Sequence, residues 1–243
     1  MRAFMLILIC WSNPILAQIN SAEALLRKMY DKYQGKWYHS MTFSQTTENY
    51  SNDSLSKTAI WYEAISYPQH FRINFGPPTQ GNGVIFANDS SYFFKEHKLI
   101  RTRIDHNDIT FLLGGMYFYP FSELLHQLRS LDYDLSKFHS TSLSGRKVYV
   151  IGAGPGQEDL NQLWIDQKNL VLLRFIKMDD GQKQDALLEN HVKLAGGWSE
   201  TQVRFYVNGK LVQKEIYHDL KADVLLDPDL FNPAKFRDLT WIP

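Results

Sequence analysis

Cysteine is almost absent from this sequence: Cys10 is the only one in 243 residues. It lies in "MRAFMLILICWSNPILAQ", which carries one early positive charge, Arg2, and an apolar run from Ala3 to Trp11. A helix-breaking Asn13-Pro14 follows, then Ile15-Leu16-Ala17 before Gln18. That is the layout of a secretory signal peptide cleaved after Ala17, so residues 1–17 are expected to be removed. The mature chain, 18–243, would then hold no thiol. Disulfides, cysteine catalysis and thiolate metal sites are excluded together. Ile9 stands where a lipid-modified cysteine needs a small residue before it, so lipid attachment at Cys10 is not expected. The apolar run is too short to span a bilayer, and no later stretch is longer.

Charge of one sign is lacking too. Lys and Arg number 26, as do Asp and Glu. With no long basic run either, a nucleic-acid surface is not expected. Motifs that assemble chemistry are also missing. The eight histidines are scattered and never form an i, i+4 pair around a glutamate, so no metal is expected. There is no G-x-S-x-G. Ser54-Leu55-Ser56-Lys57 matches S-x-x-K, but it sits in a polar turn with no S-D-N or K-T-G partner. The acidic pairs Asp132/Asp134 and Asp227/Asp229 suit turns and caps better than calcium. "VYVIGAGPGQED" resembles a dinucleotide fingerprint, yet Gln157 replaces its third glycine and no helix follows to hold a pyrophosphate. We read it as a turn between antiparallel strands. No catalytic residue and no cofactor is expected.

What the sequence does hold is aromatic and apolar bulk: 15 Phe, 13 Tyr and 6 Trp, with 44% of residues apolar. That composition favours half-buried pleated surfaces. "SAEALLRKMYDKYQG" is a helix, with Ser21 as cap and Leu25, Leu26, Met29, Tyr30 and Tyr33 in one stripe. "SELLHQLRSL" is the second helix. Most other segments alternate with period two and are separated by Asp-Gly, Gly-Gly, Asn-Gly and similar turns. In "HFRINFG", Phe71, Ile73 and Phe75 share one face, and His70, Arg72 and Asn74 the other. Roughly eleven strands and two or three helices result, in one domain of mostly β, α+β class. Such a sheet with few helices either encloses an apolar cavity or packs solid, and the pattern leaves both open.

The order of several segments resembles the LolA-like family of periplasmic lipoprotein carriers, outer-membrane lipoprotein-sorting proteins and related lipid-binding proteins. The segments are "AEALLRKMYDKY", "MTFSQTT", "YPQHFRINF", "GVIFANDSSYFF", "LWIDQKNLVLLRF" and "DVLLDPDLFNP". They span essentially the whole mature chain. The resemblance implies an unclosed antiparallel half-barrel whose apolar concave face is covered by helices and binds acyl chains of a lipoprotein or lipid. The residues expected to line that cavity are Trp37, Met41, Phe43, Phe71, Ile73, Phe75, Phe86 and Phe93, with Phe111, Leu112, Met116 and Phe118 from a cover over 109–121. The implied partners are inner- and outer-membrane lipoprotein-transfer proteins, with no nucleic acid, and the chain is expected to act as a periplasmic monomer. Burying ten methylenes is worth about 8 kcal/mol gross, roughly micromolar before ordering costs, which suits a carrier that must also release. In the dedicated carriers an arginine precedes the proline of the "YPQHF"-like motif and latches the cover. Here Tyr67 stands at that gate position, so an arginine latch is not expected. The alternative class of the same fold is a periplasmic sensor or regulatory interaction protein without a transport role.

Overall fold

Ser21 opens the first helix, α1 (Ala22–Tyr33), its hydroxyl accepting from the Ala24 N–H at 3.1 Å. Ala22, Leu25, Leu26, Met29 and Tyr33 are its buried face, the stripe read from the sequence. The structure, a computed structural model, describes residues 19–104 and 107–243. The expected signal segment lies outside the described residues.

Three short strands and two long ones form the first half of the sheet: β1 (Ser40–Ser51), β2 (Ser54–Ser66), β3 (His70–Phe75), β4 (Gly83–Ala87) and β5 (Ser90–Lys95), with β6 (Lys98–Ile104) at the edge. Two helices then interrupt the strands, α2 (Asp108–Leu112) and α3 (Phe121–Ser130). The second half comprises β7 (Phe138–Leu143), β8 (Arg146–Ile151), β9 (Gln162–Asp166), β10 (Leu172–Asp179), β11 (Gln182–Glu189), β14 (Gln202–Val207) and β15 (Lys210–Ala222). A separate hairpin joins β12 (Val192–Leu194) to β13 (Gly197–Ser199). Thirteen strands make one antiparallel sheet in the order β6-β5-β4-β3-β2-β1-β15-β14-β11-β10-β9-β8-β7. The first strand therefore pairs with the last, and β6 and β7 remain as open edges: an unclosed, mostly β half-barrel. Irregular register between β1 and β15, β14 and β15, and β9 and β10 marks bulges, which bend strands and increase twist.

The strand count exceeds the expected eleven. "ALLENHVKL" was expected as one strand, but Asn190 adopts φ 54° and divides it. "GAGPGQED" is the expected turn, linking β8 to its antiparallel neighbour β9.

The concave side is filled unevenly. Around β8–β10, α1 and α3 pack tightly: Leu26 and Met29 face Leu163, Ile165 and Leu172, leaving a void of about 30 Å³. Around β1–β3, β14 and β15 the short helix α2 stands over the sheet and space remains beneath it. The two alternatives left open by the sequence, packed core and cavity, are thus each realised in one half.

The convex side holds a second surprise. β3 alternates as read, with Phe71 opposite Ile65 and Arg72 opposite Ala64. Yet Arg72 and Asn74 are 2% and 1% exposed. The chain after β15 folds back over them through two short 3-10 helices, Pro228–Phe231 and Pro233–Lys235. The Arg72 guanidinium donates to the carbonyls of Leu230, Phe236 and Leu239 at 3.2, 3.4 and 2.9 Å and to Asn74 Oδ1 at 3.2 Å. Its carbon sits 4.5 Å from the Phe236 ring centre, and Asn74 donates to the Trp241 carbonyl. Five donors in a planar fork make arginine suited to binding several carbonyls at once.

Candidate functional site

The space left on the concave face is a cavity of about 120 Å³. Neighbouring strands build its floor in register. Met41 stands opposite Ile65, Phe43 opposite Glu63, and Ile65 and Glu63 opposite Phe71 and Ile73. From the other side, Val203 pairs with Leu188 and Glu215, and Phe205 stands beside Ala186. All but Ala186 line the cavity, with Tyr38, Trp61, Tyr67, Phe175 and Tyr217 completing the wall. Phe43 and Tyr217 touch with ring centres 4.5 Å apart.

The roof is the segment 107–119. Asn107 caps α2, its side chain accepting from the Thr110 N–H at 3.1 Å. Ile109, Thr110 and Leu113 of this segment close the cavity, and it is helical rather than a strand. Its apolar side chains Phe111, Leu112 and Met116 are buried. Gly114 has φ 138°, and a Cβ there would lie 2.2 Å from the Trp37 indole nitrogen, so the bend after α2 requires glycine.

Tyr67 does hold this roof, by a smaller device than an arginine. Its hydroxyl donates to the Leu113 carbonyl at 3.2 Å. Its ring stacks on Phe118, centres 5.6 Å apart and planes within 4°. Lys177 of β10 pairs with Asp108 at the other end of α2, and Tyr30 of α1 donates to the Tyr119 carbonyl at 3.0 Å.

Of the residues singled out in the sequence, Met41, Phe43, Phe71, Ile73 and Tyr67 line this cavity. Trp37, Leu112 and Met116 line the small void in the packed half instead. Phe86 and Phe111 line a neighbouring hollow of about 530 Å³ on the outer side of α2. Phe86 and Leu112 also border a hollow of about 330 Å³ that shares Ile109, Phe175 and Phe205 with the cavity. Phe75, Phe93 and Phe118 line none of these spaces. Phe75 is held by Trp61, Phe93 lies toward the open edge under Arg101, and Phe118 is spent on Tyr67.

Sequence reading missed the polar part of the floor. Glu63, Glu200 and Glu215 all line the cavity and are 4%, 6% and 8% exposed. Glu215 accepts from Gln213 and, at 3.0 Å, from the Tyr217 hydroxyl. Burial pushes the carboxyls of Glu200 and Glu215 up to about 7. Burial, and then the neighbouring Glu215, drives Glu63 well above the usual range. The signal was present in "IWYEAIS": period two puts Glu63 between Trp61 and Ile65 on one face. Among the described residues no cluster of His, Cys, Asp and Glu has the arrangement of a metal site.

No family model matches the sequence, and no curated protein does. Solved structures do match. A DUF1329 family protein from Desulfovibrio piger aligns over 88% of this chain and 97% of its own at TM-score 0.61 and 14% identity. A domain named for outer-membrane lipoprotein sorting, from Vibrio parahaemolyticus, aligns over 89% and 98% at TM-score 0.60 and 11% identity. A LolA superfamily protein from Nitrosomonas europaea aligns over 88% and 98% at TM-score 0.57 and 13% identity. This chain has the LolA-like fold. The alignments cover 88–89% of this chain and nearly the whole of each neighbour. At these identities the likeness concerns the fold and does not carry over any neighbour's ligand.

Proposed function

We propose that this protein is a periplasmic carrier or chaperone that holds an acyl chain of a lipoprotein or lipid in the cavity beneath α2. The observation that carries the reading is the uneven concave face. One half is packed by α1 and α3 around a void of only about 30 Å³, while the other keeps an aromatic- and aliphatic-walled space under a short roof. A volume of about 120 Å³ is close to the ~150 Å³ engineered cavity that binds benzene, so it seats one end of a chain rather than a whole chain. The rest of the chain would extend past Ile109 into the adjoining hollow of about 330 Å³. Loading therefore involves displacement of α2, which is held by Tyr67, by the Lys177–Asp108 pair and by the burial of Phe111 and Leu112. The polar part of this attachment is small, since one neutral hydrogen bond is worth about 1 kcal/mol net, and an apolar chain entering beneath the roof replaces lost apolar contacts. The neighbour named for lipoprotein sorting supports the same ligand class. No nucleophile is needed for this task.

The test is native mass spectrometry of protein isolated from the periplasm, followed by solvent extraction of what accompanies it. A co-purifying acylated species is the expected result. A clean mass for the protein alone, unchanged after incubation with short-chain lipids, contradicts the proposal.

A further inference from the structure

An apolar chain has no use for three carboxyl groups. Glu63, Glu200 and Glu215 nonetheless face the cavity, and among the described residues no lysine, arginine or histidine lines it. The Glu63 carboxyl, on a side chain nine-tenths buried, has neither a hydrogen-bond donor nor an ion-pair partner among the described residues. A second group is stranded beside it. Gln45 is 0% exposed and stands between Trp61 and Tyr217 in register, both of them cavity residues. Its amide nitrogen donates to Thr47 at 2.8 Å, while its Oε1 has no partner. Gln45 Oε1 is an acceptor, and each carboxyl becomes acceptor-only once it ionises. Buried polar groups are ordinarily paired, and an unpaired charge is more costly still.

Resting on the chain-binding reading above, we propose that the natural ligand is an amphipathic organic cation, an amine or ammonium head joined to an aliphatic chain, its head seated against Glu63 and Glu215. An ammonium supplies three donors and no acceptor, the complement of this floor. The surrounding rings of Tyr38, Phe43, Trp61 and Tyr217 add faces that attract a cation. In the empty cavity, burial favours the protonated carboxyls. Entry of the cation favours their ionised forms, so binding releases protons and tightens as pH rises through about 7.

The experiment is calorimetric titration of octylamine, octanol and octanoate into the wild type and into Glu63→Gln/Glu215→Gln, at about pH 6 and about pH 8, in two buffers of different ionisation enthalpy. A protonated carboxyl and a carboxamide are near-isosteric, so the variant keeps the empty fold, and its melting curve checks this. Octylamine is expected to bind the wild type at least about tenfold more tightly than octanol at the higher pH, as a charge-assisted contact would give. Proton release and loss of the advantage in the double variant are also expected. Equal affinity for all three chains overturns the amine head while leaving the chain-binding reading standing. Tightest binding of octanoate overturns it as well, since the carboxyls would then act as neutral donors. An octylamine preference that survives in the variant places the head elsewhere and also overturns it. Binding of none of the three overturns both readings together.

Discussion

Glu200 shows how one buried group sets the behaviour of the empty protein. Burial, then the charge of Glu215, raises its pKa from 4.5 to about 7 in the fold. The folded state therefore holds a proton that the unfolded chain gives up between these values. This contribution is fully present below pH 4.5 and is lost as pH rises through about 7. A shift of this size corresponds to about 3 kcal/mol. Glu215 and Glu63 act in the same direction. His191 opposes them: burial depresses its pKa to about 4, so its share of stability is present above its ordinary 6.5 and lost as pH falls. Above about 6.5 only the glutamates remain, so the melting temperature is expected to fall between about pH 6.5 and 8, and Glu200→Gln should flatten that slope. A wild-type melting temperature that is flat or rising over this range contradicts the burial of these carboxyls. Arg72 is the corresponding group on the convex side. Arg72→Leu leaves three carbonyls without donors, those of Leu230 and Phe236 buried and that of Leu239 part-buried, and is expected to cost about 3 kcal/mol. The readout is protease cleavage between residues 226 and 241; continued protection of that segment would show that Arg72 does not hold it.

At the scale of elements, the roof is expected to open before the strands that flank it. α2 has five residues and is secured by side chains rather than by length. Tyr67→Phe removes the bond to Leu113 but keeps the stack on Phe118, so a loss of about 1 kcal/mol is expected in local opening. Hydrogen exchange at 109–114 should accelerate several-fold in this variant, with β1 and β15 unchanged, and slow again when an apolar chain is added. Equal protection with and without ligand would count against a moving roof. Which elements were legible follows from their length. α1 and α3 have enough turns to display a 3.6-residue stripe, and the hairpins display period two. α2 is too short for either, so "ITFLLGGMYF" shows only apolar bulk and a glycine break. The resemblance put Tyr67 at the gate position without revealing its bond, because the partner is the backbone of Leu113, forty-six positions along the chain.

At the scale of the whole molecule, the hollow half of the barrel depends on how far the helices reach across the sheet, which no local pattern encodes. That is why Trp37, Leu112 and Met116, apolar and in the right segments, belong to the packed half. It is also why the tail over Arg72 and Asn74 was not foreseen: period two placed them on the opposite face, but not under a second layer. The acidic floor was readable strand by strand, yet only curvature brings Glu63 of β2, Glu215 of β15 and Glu200 to one cavity. The most direct measurement is a crystal structure of the protein with 8-bromo-octanol, a neutral chain whose halogen can be located by anomalous scattering. A bromine peak in the inner cavity or in the adjoining hollow that shares Ile109, Phe175 and Phe205 with it, with α2 displaced from Leu113's bond to Tyr67, is the expected result. Bromine found only in the outer hollow beside Phe86 and His126, with the inner cavity unchanged, would contradict a chain-binding site beneath the roof.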